Sequence, residues 1–144
     1  MPIVGFHLEK TLAERSQKLQ KGMKATHNIT ITSVQNENIE MGKSTKKPGL
    51  KFSFEYGVDY QPKIGKVSIE GSILYLDDEK VVKGILDGWK KNKNINQEFA
   101  AQILNTAIVR CTIKALSMAQ EVNLPPHMPI PTVTPKSREQ NYIG

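Results

Sequence analysis

Few side chains in this sequence could carry chemistry, and their spacing says what kind. One cysteine, Cys111, and three histidines, His7, His27 and His127, are the candidate nucleophiles, bases and soft ligands. A reactive thiolate needs a nearby cation or a helix N-terminus. Cys111 instead lies in a helical run on the same face as Ala107, Ile108 and Ala115, which marks it as a small buried hydrophobe. The histidines show no His-x-x-x-His pattern and no Cys-x-x-Cys companion, so no metal site is expected. Asp77, Asp78 and Glu79 could attract Mg²⁺, but consecutive acids where a strand gives way to a helix suit capping and the helix dipole. Ten glycines form no phosphate-cradling motif. The residues therefore point to binding without catalysis, metal or cofactor.

Two other patterns could hold a partner. Phe52, Phe54, Tyr56 and Tyr60 line one face of a strand, as bases require when they stack on RNA-binding sheets. The interleaved Lys51, Ser53, Glu55 and Asp59 include two acids, so the stripe reads first as core. Lys43, Lys46, Lys47 and Lys51, and then Lys90, Lys91 and Lys93, form two clusters that could rest on phosphate backbone or be solvated loops. The net charge of +6 and pI near 9.4 draw the chain toward polyanions, a ribosome or RNA among them. Seventeen of the twenty cations are lysine, however, and the planar fork that reads phosphate and base edges belongs to arginine.

The elements that would position these residues follow from hydrophobic period. Ile3 to Met23 is ambiguous: Leu8, Leu12, Leu19 and Met23 recur at helical spacing, while Phe6, Leu8, Lys10 and Leu12 alternate as in a strand. A strand over about 3–14 is preferred. Thr26 to Val34 is β-branched and alternating, hence a strand, and Gly42 to Gly49 reads as an exposed loop. Leu50 to Tyr60 alternates apolar and polar without a break, and after Gln61-Pro62-Lys63 a partner strand runs over about 64–76, with Gly71 a bulge or a close approach. Val81, Val82, Ile85, Leu86 and Trp89 trace a short helix up to a polar break at 90–94.

Asn94 or Asn96 caps a longer helix whose apolar face runs from Phe99 to Val122. A helix of that length is expected to bury part of its surface against something beyond its own sheet. Residues 124–135 carry five prolines among Leu124, Met128, Ile130 and Val133, and read as an extended segment packed on the chain or on a subunit. The expected fold is thus α+β: about four antiparallel strands on one short and one long helix, followed by a Pro-rich tail. Residues 1–135 form one domain and 136–144 a polar tail. A lone cysteine, no secretory pattern and no apolar run long enough to span a bilayer suggest a cytoplasmic protein.

This order of elements resembles the SecB-like chaperone family. The likeness rests on residues 67–133: a strand with Gly71, then VVKGIL over 81–86, IVRCTIKALSM over 108–118 and NLPP over 123–126, with Phe6 to Ser16 as the first strand. The resemblance implies a homo-oligomer built through the long helix and ATP-independent capture of unfolded or partner polypeptides on an apolar groove. Phe6, Leu8, Phe52, Phe54, Tyr56, Trp89 and Met128 are the candidate contacts. One departure is charge, since the family is typically acidic, which suits its contact with the basic tail of a motor ATPase.

Overall fold

Alternation fixes which face of each strand is dry, and the structure, a computed structural model, follows it. It describes residues 3–42, 45–133 and 135. Four long strands, β1 (Ile3–Arg15), β2 (Lys24–Asn36), β5 (Gly49–Gln61) and β6 (Gly65–Leu76), form one antiparallel sheet in the order β1-β6-β5-β2. Register puts Phe6, Ile73, Phe52 and Val34 in one row, and Ala13, Val67, Val58 and His27 in another, all on the same face. The opposite face carries Lys10, Glu14, Glu70, Lys66, Lys51, Glu55, Asp59 and Thr30. One side is core and the other faces water, as antiparallel sheets allow.

The dry face is covered by α1 (Glu79–Asn92), α2 (Gln97–Glu121) and the segment after α2. Val82 of α1 and Ile103, Ala107, Cys111, Ala115, Met118 and Ala119 of α2 are buried with the apolar residues of β5 and β6. Alanines and a cysteine at the contact let the helix sit close to the large sheet side chains. Tyr75 and Phe99 meet edge to face at 4.8 Å, as ring quadrupoles prefer.

Several expectations are corrected. The stretch 42–49 is not wholly loop: β4 (Thr45–Lys47) pairs with β3 (Ile39–Met41) in a small separate hairpin. The polar break at 90–94 begins later, because α1 continues to Asn92 before Lys93 turns left-handed. The cap of α2 is Asn96, whose side-chain oxygen accepts from the Glu98 and Phe99 amides at 2.9 and 3.3 Å. Asp78 stands at the N-cap of α1 but makes no side-chain cap bond. Asp77 accepts instead, from the Asp78 amide and from the Tyr75 hydroxyl, and the tyrosine hydrogen bond is the main cause holding its carboxyl below the usual range.

Gly71 is a close approach and not a bulge: a β-carbon there would collide with the His7 carbonyl oxygen and come within 2.8 Å of the Phe54 ring. The register shifts fall on the two edge strands, between Ile3 and Gly5 and between Leu8 and Lys10 in β1, and between Ile31 and Ser33 in β2. The expected tail at 136–144 lies outside the described residues.

Candidate functional site

Cover on the dry face is uneven, and that unevenness creates the candidate site. Phe6 and Leu8 extend from the edge strand β1 toward α2, which reaches over them with Arg110, Ile113, Lys114 and Ser117. These six residues line a groove of about 630 Å³ that is open along its length. Leu8 is 40% exposed and Ile113 67% exposed, and Val109, one turn before Ile113 on the same side of α2, is 60% exposed. The Phe6 ring stacks on Phe54 with centroids 5.5 Å apart and carries the Arg110 guanidinium 4.8 Å from its own centroid. Such a contact holds the arginine over the groove floor and contributes roughly 0.5–1 kcal/mol at an exposed position. The groove combines an apolar floor, a cationic rim and the Ser117 hydroxyl, and among the described residues no carboxylate lines it.

The other half of the same face is closed. After α2, Leu124 is buried beside Gly65, and the Tyr60 hydroxyl donates to the Pro125 carbonyl at 2.5 Å. Two residues on, His127 Nε2 and the Tyr56 hydroxyl share a 2.8 Å hydrogen bond, with Thr112 Oγ1 3.5 Å from the same hydroxyl. The His27 ring lies 5.8 Å from that of His127. Residues 124–127 thus strap the β5 and β2 side of the sheet, while Met128, Ile130 and Val133 beyond them are exposed.

Burial governs the titration of this half. Desolvation raises the pKa values of Tyr56 and Tyr60 and, together with the neighbouring His27, lowers that of His127. It also pushes the Cys111 thiol up to about 11, which keeps it protonated and poorly nucleophilic at neutral pH. His7 lies on the opposite, wet face of the sheet.

The expected contact residues divide accordingly. Phe52, Phe54 and Tyr56 are 0, 2 and 0% exposed, so they are core beneath the helices and cannot meet a partner on this surface. Phe6 and Leu8 line the groove. Trp89 is half-buried on α1 with Lys93 Nζ 5.9 Å from its ring, and Met128 lies at the free end of the strap; neither joins the groove. Arg110, Ile113, Lys114 and Ser117 are groove residues that sequence reasoning missed. The available signal was that Val109 and Ile113 are apolar yet fall off the core stripe of α2.

The lysine clusters are also rearranged. Lys51 does not join a loop: it stands on the wet face of β5, 3.6 Å from Glu9. Lys46 and Lys47 are exposed on β4, with Glu40 opposite Lys46, and Lys43 lies outside the described residues. Lys90 and Lys91 end α1, where the helix dipole favours cations. None of the described helices is long and apolar enough to cross a membrane.

No family model and no curated protein matches the sequence. Among solved structures, the chain is similar to the Rv1957 SecB-like chaperone of Mycobacterium tuberculosis, in complex with a ChAD peptide from the Rv1956 HigA1 antitoxin. The likeness is one of fold. It spans 92% of this chain and 89% of the mycobacterial one at a TM-score of 0.50, with 11% sequence identity. At that identity the side chains of the groove are this chain's own.

Proposed function

We propose that this chain is an ATP-independent polypeptide-binding protein, a SecB-like chaperone or adaptor without catalytic activity, that captures an extended segment of an unfolded or partner chain between β1 and α2. The observation that carries the reading is the open groove of Phe6, Leu8 and Ile113 on a sheet face that is otherwise covered. Apolar side chains exposed in this way gain about 25 cal/mol per Å² when a client covers them, and no nucleotide is needed to drive that burial. The groove favours segments that carry apolar residues with acidic neighbours, because among the described residues its charged lining is Arg110 and Lys114. The mycobacterial chaperone, solved with a peptide bound, supports the class of partner through its fold.

In this reading the protein works in the cytoplasm as a homo-oligomer built through the long helix α2 on its exposed Val109 side, leaving Ile113 to the groove. Light scattering gives the assembly, and a monomer at working concentration removes that part of the reading. For capture itself, a chemically unfolded client diluted into the protein should remain in solution, and Ile113→Asp should abolish the effect. Unchanged client aggregation in the presence of excess wild-type protein would sink the proposal.

A further inference from the structure

The chain's positive charge is concentrated at one end of the sheet. The connection from β1 to β2, residues 16–23, crosses from one edge strand to the opposite edge and passes over the β5–β6 turn. There the Ser16 and Gln17 amides donate to the Ile64 carbonyl at 2.7 and 3.2 Å. This crossing brings Arg15, Lys18, Lys21 and Lys24 to the same end as Lys63 and Lys66, where the nearby carboxylates among the described residues are Glu14, Asp59 and Glu121 at the end of α2. The local charge, six cations against three carboxylates, is +3, half of the +6 of the whole chain.

Lys66 is engaged, 3.8 Å from Glu14. Arg15, Lys18, Lys21, Lys24 and Lys63 are exposed and have no carboxylate partner among the described residues. By contrast, the lysines of α1 have structural uses: Lys90 and Lys91 complement the helix dipole, Lys93 sits over Trp89, and Asp77, Asp78, Glu79 and Asp87 nearly balance the segment. Among the described residues no ion pair uses the charges of Arg15, Lys18, Lys21, Lys24 and Lys63, and like charges gathered on one short crossing repel one another.

We infer that this end of the sheet is a docking surface for the phosphate backbone of a nucleic acid, bound without regard to sequence. A protein partner would need an apolar centre, and the crossing offers one exposed large apolar side chain, Leu19. A phosphate backbone needs only cations and uncharged donors. The donors are present: Ser16, Gln17 and Gln61 line a recess of about 580 Å³ in which Glu14 and Asp59 offset Lys63 and Lys66, so the net positive charge comes from Arg15, Lys18, Lys21 and Lys24 beside it. A surface in which Arg15 is the one guanidinium among lysines suits point-charge contact with phosphates more than the reading of base edges. This surface is separate from the β1–α2 groove, so each can stand without the other.

The test is fluorescence anisotropy with a labelled single-stranded 20-mer RNA of mixed sequence, titrated at several salt concentrations. About four phosphate contacts predict that log affinity falls with log salt at a slope near −3. K18E/K21E should weaken binding about tenfold or more while keeping the wild-type melting temperature, and K90E/K91E should stay within about twofold of wild type. The inference is overturned by absence of binding at low salt, by K18E/K21E binding like wild type, by an equal loss in K90E/K91E, or by poly-glutamate competing as well as the RNA does. Loss of RNA binding in K18E/K21E should leave client capture intact.

Discussion

The two halves of the sheet's dry face are built from similar side chains and meet opposite fates. On the β5 side, Phe52, Tyr56 and Tyr60 lie under α2 and a strap tied by Tyr60 to Pro125 and Tyr56 to His127. On the β1 side, Phe6 and Leu8 receive only the rim of α2, and Leu8 stays 40% exposed. Residue type does not separate a core aromatic from a groove-lining one here; the reach of the covering elements does.

The sharpest way to break this comparison is to empty the closed half. Phe52→Ala should cost about 3–5 kcal/mol, because a fully buried aromatic leaves a cavity, and lower the melting temperature by roughly 10 °C or more. A small loss in a circular dichroism melt would mean that the stripe is not core. Gly71→Ala comes next: its β-carbon has no room between the His7 carbonyl and the Phe54 ring, so a loss of about 1–3 kcal/mol is expected in the same assay.

Acidification should loosen the closed half selectively. His127 has its pKa lowered by burial and then by His27, so below the ordinary value of 6.5 the unfolded chain takes up a proton before the folded one. The stability from neutral His127 is therefore complete above about pH 6.5 and declines as pH falls toward the lowered folded value. His127→Phe should flatten that part of the pH profile in urea melts, and an unchanged profile would remove His127 as its source. The smallest stability effect belongs to the open half: Ile113→Asp should stay within about 0.5 kcal/mol of wild type, as exposed positions do, while client capture is lost. A large drop in melting temperature there would make Ile113 structural and erase the contrast.

Legibility in the sequence followed the same division. The β5 stripe and its partner strand declare themselves by a period of two that no helix shares. The first strand was legible only through the family resemblance, since Leu8, Leu12, Leu19 and Met23 satisfy a helix equally well. The β3–β4 hairpin escaped because three-residue strands such as Ile39–Met41 and Thr45–Lys47 are too short to show a period. Groove and basic end escaped for a different reason. Leu8 and Ile113, or Lys21 and Lys63, are distant in sequence and become neighbours only through strand order and the placement of α2, which no local pattern encodes.

That strand order also governs how the chain is made. The first 36 residues supply both edges of the sheet, while the central hairpin they must join spans Gly49 to Leu76. During synthesis, β1 and β2 therefore emerge as two unpaired strands: β2 waits for β5, complete 25 residues later at Gln61, and β1 waits for β6, complete 40 residues after β2 at Leu76. At ordinary elongation rates that wait is on the order of seconds, long compared with the microseconds in which a hairpin closes. The pairing of β1 with β6 joins Ile3 to Tyr75, nearly the full length of the sheet-forming segment, and such distant contacts place this chain among the slower-folding small domains. On the proposed function, the two early strands of this chain pass through a stage in which they are themselves potential clients of such a groove.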